Sequence, residues 1–393
     1  MPVTAPTSPA RRVPRSGIRS LMELALRDPR ALHLEIGEPD QAPGAHVTEA
    51  VARAAREGRT GYTSSTGLPE LRAAVAHRVS ERSGRPTSPD EVVVTHGAMH
   101  GLAMALQAVL GPGDEVLVPD PAFPNWAMAA VAAGGAARTY PTRPERGFVP
   151  VPAEVEAAIT PRTRALVVCS PDNPTGAVYP ADVLAQLVEI ARRHDLWLLS
   201  DEAYEAITFD APFVSPAAFD TDRRVVVFGS VSKTYALTGL RIGWVATPDR
   251  DLLEVLGHLA EASVLCPSTV GQHGALAALT GPQDAVAQAV ASYRGRRDAA
   301  LELLAARGIA FSAPEGAFYL LVDVEEADSD AFARRLLERV HVAVSPGSAF
   351  GALAEGRVRV SLASARPVLL EGLGLLADEV VAARTGRSAA LAR

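Results

Sequence analysis

Short, almost wholly apolar runs alternate with longer stretches of helical periodicity through the middle of this chain. Glu91-Val92-Val93-Val94-Thr95 predicts a strand, and Gly97 to Leu110 the helix that follows it. Further strands are predicted at Glu115–Val118, Ala165–Cys169, Leu196–Ser200, Val225–Phe228 and Ile242–Ala246. Tyr179-Pro180 opens a helix to about His194, since proline suits a first helical turn. Strands apolar on both faces, separated by helices, imply a largely parallel sheet covered on both sides. Ligands of such sheets sit beyond the carboxyl ends of the strands. The last third reads differently: helical patterns over Asp251–Arg307, a strand at Gly316–Asp323, a helix near Asp330–Val340 and a strand at Arg357–Leu362. The expected fold is α/β, a large domain with a mostly parallel central sheet flanked by helices, plus a smaller α+β domain. The expected division is residues 1–44 as an N-terminal arm with part of the small domain, 45–280 as the large domain and 281–393 as the small C-terminal domain.

Composition narrows the partners. The 393 residues favour two domains, and 48% hydrophobic with 21% charged content is that of an ordinary soluble protein. Net charge is −7, from 38 basic and 45 acidic residues, with no sustained basic cluster, so neither nucleic acid nor an anionic membrane is an expected partner. Of the two cysteines, Cys169 falls in an apolar strand, which suggests a reduced, buried thiol and a cytoplasmic setting. Residues 1–15 are rich in Pro, Thr, Ser and Arg and lack the apolar core of a signal peptide. The first dozen residues are expected to form a flexible arm. No run approaches the roughly 20 apolar residues of a membrane span. No metal is expected.

Candidate chemistry gathers where the apolar runs end. Val225–Phe228 leads into Ser230-Val231-Ser232-Lys233-Thr234, with Arg241 eight residues beyond the lysine. Desolvation and nearby cations lower a lysine pKa and free the amine as a nucleophile. Hydroxyls and an arginine beside it suit a phosphate. A lysine nucleophile beside a phosphate cradle suggests pyridoxal phosphate held as a Schiff base. Thr95-His96-Gly97-Ala98-Met99 turns straight into a helix, whose first amides at Ala98 and Met99 form either an anion site or a plain helix cap. Phe123 stacks on a planar ring or joins the core. The Pro- and Gly-punctuated turn Ser170–Gly176 presents Asn173, or is an ordinary Asx turn. Asp201 caps the next helix, or pairs with a protonated pyridine nitrogen and keeps the ring an electron sink.

Pro171-Asp172-Asn173-Pro174-Thr175-Gly176, Asp201-Glu202-Ala203-Tyr204 and Ser232-Lys233-Thr234 with Gly239 and Arg241-Ile242-Gly243 occur in this order. On these motifs the chain, from about Ile36 to Leu362, resembles the class I/II pyridoxal-phosphate aminotransferases of fold type I. The resemblance implies a transfer of the amino group between an L-amino acid and a 2-oxo acid. It implies that Lys233 carries the cofactor as an aldimine and shuttles the proton between substrate Cα and cofactor C4′, the amino group resting on pyridoxamine phosphate between half-reactions. Asp201 would pair with the pyridine nitrogen, Asn173 and Tyr204 with the phenolic oxygen, and Phe123 would stack on the ring. Ser230, Arg241 and the backbone at Ala98 and Met99 would hold the phosphate. Tyr62 would reach the phosphate across a dimer interface, which implies a homodimer with shared active sites. Arg359 would clamp the substrate α-carboxylate, Gly37 would close over the substrate, and Asn173 would bind substrate as well as cofactor.

Two residues depart from the family's pattern. Met99 stands where a polar or basic residue often reads a distal carboxylate, and Leu240 where an aromatic is common. Both are expected to make the pocket more apolar. Arg15 and Arg19 could supply a distal cation, but arginines near a terminus read first as a solvated face. His96 and His100 read as capping or packing residues. The same cofactor set also serves elimination, replacement or C–C bond formation on an amino acid or S-adenosylmethionine, as in relatives resembling aminocyclopropane-carboxylate synthase. A DNA-binding regulator is not expected, because the aminotransferase pattern begins by about residue 35.

Overall fold

The structure is a computed structural model that describes residues 9–391. The expected arm falls largely outside the described residues, and Pro9–Arg12 forms a short 3-10 turn. Seven strands build the main sheet: β1 (Val92–Thr95), β2 (Glu115–Asp120), β3 (Ala136–Pro141), β4 (Thr163–Cys169), β5 (Trp197–Asp201), β6 (Val225–Ser230) and β7 (Gly243–Ala246). Their spatial order is β1-β7-β6-β5-β4-β2-β3. All neighbours pair in parallel except β7, which is antiparallel to both β1 and β6.

Alternation along each strand feeds two cores. Val92, Val94, Leu117, Leu166, Leu198 and Val227 face one layer, covered by the helices Pro69–Ser83 and Ala181–Arg193. Val93, Val116, Val167, Leu199, Val226 and Phe228 face the other, covered by Ala98–Val109 and Arg250–Val264. A sheet buried on both faces needs an apolar residue at nearly every position, which is why these strands read as continuous runs. The hydropathy pattern does not predict β3. It is the sheet's edge strand, and only Tyr140 in it is fully buried, so it carries no apolar run.

A second, antiparallel sheet has the order β10-β11-β9-β8, with β8 (Phe311–Ser312), β9 (Tyr319–Asp323), β10 (Ser345–Pro346) and β11 (Arg357–Ser361). Its core takes Tyr293, Ala300 and Leu304 from the long helix Asp284–Ala306, and Phe332 and Leu336 from Ser329–Val340. Leu21, Ala25 and Leu34 join the same core, and Leu32–His33 pairs in parallel with Val342–Ala343. The N-terminal segment therefore packs with the C-terminal third of the chain.

The topology collects many loops at one edge. β1, β2, β4, β5 and β6 all end there. Because β7 runs the other way, its start lies at the same edge: Gly243 pairs with both Thr95 and Ser230. Arg241, two residues earlier, is thereby carried to the carboxyl ends of the parallel strands.

Gly229 in β6 sits opposite Trp244 of β7, and a methyl group there would overlap the indole ring. Gly229→Ala is expected to destabilise the fold by roughly 1–3 kcal/mol through overpacking. Urea unfolding midpoints read this directly, and an unchanged midpoint would contradict the packing described.

Candidate active site

The carboxyl edge of the main sheet opens on a cavity of about 780 Å³ that also meets the small antiparallel sheet. Gly37, Ala98, Met99, Phe123, Asn173, Asp201, Tyr204, Ser230, Lys233, Arg241 and Arg359 all line it. Tyr62 does not; it is 85% exposed and stands outside the cavity.

Lys233 belongs to the single turn Val231–Thr234, which Ser230 caps by accepting the Ser232 N–H at 3.0 Å. Its Nζ donates to the Gly37 carbonyl at 2.5 Å, spanning from the main sheet to the segment beside the small core. Only glycine fits at position 37, because a Cβ would run into the Tyr319 hydroxyl.

Asp201 ends β5, opposite Cys169 of β4 and Phe228 of β6. Its Oδ1 accepts the Ala203 N–H at 3.2 Å. Burial raises its carboxyl to about 6, against the pull of that N–H and of the Lys233 charge. Two further carboxyls lie nearby. Burial raises Glu202 to about 8 although the Ser200 and Ser215 hydroxyls donate to it at 2.9 and 2.6 Å. Burial likewise raises Asp172 to about 7, while its Oδ2 accepts the Thr175 N–H at 3.1 Å and the Thr175 hydroxyl at 2.5 Å.

The opposite wall is basic. Gly97, at φ +77°, caps the helix Ala98–Val109, and a Cβ there would lie 2.5 Å from Arg241 Nη2. Glycine thus lets the guanidinium close on a helix N-terminus, whose first N–H groups lack intrahelical partners. Arg241 holds a left-handed backbone at φ +57° and donates to the Thr238 carbonyl at 2.6 Å. Such strain on a non-glycine residue is characteristic of functional sites.

Arg359, in β11, is buried. Its Nη1 donates to Asn173 Oδ1 at 2.9 Å, and its Nη2 to the Glu35 carbonyl at 2.6 Å and Ser345 Oγ at 3.2 Å. The guanidinium lies 4.2 Å from the Tyr319 ring centre and 4.9 Å from that of Phe350. Burial pulls its pKa below the ordinary value. The Tyr204 and Tyr319 hydroxyls are 2.9 Å apart.

Leu240 corrects one expectation. It does not line the cavity and so does not make it more apolar. The 3-10 turn Thr238–Leu240 leaves Gly239 and Arg241 at the cavity and packs Leu240 beside Gly274 and the main core. Sequence reading also missed several lining residues: Tyr319 from β9, Ile18 and Met22 from the helix Gly17–Ala25, and Asn125 and Met128 from the helix Asn125–Ala132. Ile18 and Met22 lie four residues apart on one helical face, but that spacing looks the same for core packing. Arg19 is exposed yet lines the cavity, with Nη1 3.4 Å from Met22 Sδ. Among the described residues, no His, Cys, Asp or Glu cluster is arranged to hold a metal ion, and no helix is long and apolar enough to cross a membrane.

A parallel sheet presenting a lysine, a carboxylate and an anion cradle at one edge defines a small-molecule enzyme of the fold type I architecture. The chain belongs to the class I and II aminotransferases, whose family model matches residues 29–373. An aspartate/prephenate aminotransferase of Thermus thermophilus is 40% identical over 357 residues, covering 90% of this chain and 91% of the relative. The structure of Thermus thermophilus aspartate aminotransferase with maleate superposes with a TM-score of 0.91 at 38% identity, covering 96% of this chain and 100% of that one. An aromatic aminotransferase from Pyrococcus horikoshii gives 0.87 at 35% identity, covering 93% and 99%. The protein is therefore a transferase that moves amino groups between amino acids and oxo acids.

The three raised carboxyls make stability pH-dependent. Between their ordinary values, 3.8 for Asp and 4.5 for Glu, and their folded values of about 6, 7 and 8, the ligand-free folded chain holds protons that the unfolded chain has lost. The contribution of these three groups is therefore greatest below this window and falls as pH rises through it, by up to ~1.4 kcal/mol per pH unit for each such proton. Asp201→Asn should flatten the profile between pH 3.8 and about 6 in urea titrations. A slope equal to that of the wild type would refute the burial effect on Asp201.

Proposed function

We propose that this protein is a pyridoxal-phosphate-dependent aminotransferase that acts on α-amino acids and 2-oxo acids as a homodimer. One observation carries the reading: Lys233, Asp201 and the cradle of Arg241, Ser230 and the Ala98 and Met99 amides face one cavity, with Arg359 on its far side. The residues fit the cofactor. Asp201 faces the cavity with no ion-pair partner among the described residues, so a pyridinium N–H would offset its desolvation. The close approach at Gly97 lets Arg241 and the helix amides share one phosphate. Phe123 offers a ring face, and Asn173 and Tyr204 offer polar atoms for a phenolic oxygen. When bound, pyridoxal phosphate supplies an amine-reactive aldehyde and a cationic ring that accepts the electron pair left as the substrate Cα–H bond breaks.

The chain's own groups do the rest. Arg359 binds the substrate α-carboxylate; Asn173, Glu35 and Ser345 hold its guanidinium in place, and its Nε–H is buried without a partner. Lys233 Nζ takes the proton from Cα as general base and returns it on the other side of the transfer. Gly37 and Tyr319 close the small-domain side and exclude water there. Tyr62 is assigned to the partner subunit's phosphate site. An 85% exposed tyrosine supports this. So does its loop, whose Gly61 carbonyl accepts at 2.5 Å from the hydroxyl of Thr269, a residue close in sequence to the exposed Val264 and Leu265. The free thiols Cys169 and Cys266 favour a cytoplasmic setting.

Lys233→Ala should lower turnover by on the order of 10⁴-fold or more, since nucleophile and base are lost together, with an unchanged circular dichroism spectrum. A variant that keeps both turnover and the cofactor's visible absorbance would remove the assignment. Arg359→Ala should lower kcat/KM on the order of 10²- to 10³-fold, mostly through KM, while cofactor stays bound. Steady-state kinetics beside cofactor absorbance separate the two effects.

A further inference from the structure

Resting on that reading, we infer that the side-chain end of the cavity selects a bulky apolar substrate, aromatic or long aliphatic, rather than one with a second carboxylate. Three of the chain's five methionines, Met22, Met99 and Met128, line the cavity. They come from three separate helices, Gly17–Ala25, Ala98–Val109 and Asn125–Ala132, and Ile18 and Leu102 stand with them. Thioether side chains are flexible and polarisable, and they make favourable contacts with aromatic rings. Such a wall adapts to bulky apolar groups of differing shape.

The charges around the cavity point the same way. Of the cations of this chain that line it among the described residues, Arg359 is committed to the α-carboxylate, while Arg241 and Lys233 serve the cofactor. That leaves Arg19, which is exposed and lies along Met22. A solvent-exposed guanidinium contributes little to an ion pair. Glu35 lines the wall but is fully buried, its carboxylate turned to His33 Nδ1 at 2.8 Å, so it offers no charge to the cavity; Glu38, exposed at the rim, offsets Arg19. Glu38 is held in place by the Thr238 hydroxyl at 2.5 Å. A distal carboxylate set among Met22, Met99 and Met128 would lose its hydration without a buried counter-charge, whereas an aromatic ring would bury apolar area there.

The test uses the cofactor-loaded enzyme with phenylpyruvate, 4-methyl-2-oxopentanoate and oxaloacetate as amino acceptors. The expected result is a kcat/KM for the apolar acids higher by on the order of 10- to 100-fold. Met22→Lys and Met99→Lys should each raise the value for oxaloacetate and lower that for phenylpyruvate. A wild-type preference for oxaloacetate overturns the inference and leaves the aminotransferase reading intact. Failure of every acid to accept an amino group from any donor overturns both. Because the wild-type profile decides the matter, a poorly folded lysine variant does not rescue the idea.

Discussion

The buried guanidinium of Arg359 ties the carboxyl edge of the main sheet to the small antiparallel sheet. Arg359 is only 3% exposed, and a buried cation costs several kcal/mol unless its donors are satisfied. Its partners come from segments far apart in the chain: Asn173 after β4, the Glu35 carbonyl beside Gly37, and Ser345 of β10. Asn173 belongs to the main sheet's edge and the others to the small core. The cavity lies where those two parts meet, so its width is set by the same contacts that orient the arginine. The orientation of the guanidinium proposed to bind a carboxylate and the relative placement of the two parts are one constraint. The register in the small sheet serves it too. Arg359 pairs with Leu321, and Tyr319 lies two residues along the same face, which brings the phenol ring under the guanidinium.

The main sheet contributes a second constraint through β7. Six strands of one direction end at one edge and supply loops there, but a loop that enters a strand at that edge requires one reversed strand. β7 is that strand, and it carries Arg241 to the same rim as Lys233 although only eight residues separate them. Glycine completes the approach: side chains at Gly97 or Gly243 would meet the Arg241 guanidinium or the Ala98 amide, each at 2.5 Å. Backbone amides and guanidinium can share an anion only because both positions lack a Cβ.

Sequence legibility followed the physics of burial. β1, β2, β4, β5, β6 and β7 were readable because burial on both faces forces a continuous apolar run, whereas β3 is exposed at the edge and its composition carries no such demand. Strand direction left no trace, since a run apolar on both faces reads the same either way, and so the reversal of β7 was invisible. That Lys233, Asp201 and Asn173 line the cavity was legible because polar residues in the turn after an apolar run stand out. Tyr319 was not, because it sits inside such a run, and Ile18 and Met22 were not, because their spacing matches any amphipathic helix. Leu240 was misjudged for a different reason. It neighbours Arg241 in sequence, but a 3-10 turn sends the two side chains to opposite sides.

The three raised carboxyls also show how a working group is told from a structural one. Glu202 accepts from two serine hydroxyls and is 5% exposed, so its burial is compensated locally and it can rest protonated as part of the framework. Asp172 is 1% exposed and is held by both polar groups of Thr175, which stiffens the turn that presents Asn173. Asp201 differs from both. It accepts a backbone N–H, lies open to the cavity and faces an amine across it. Satisfaction of hydrogen bonds does not separate the three, since Asp172 Oδ1 is itself buried without a partner. What separates Asp201 is its place: it alone of the three lines the cavity, so a cationic donor bound there would offset the desolvation that raises its pKa.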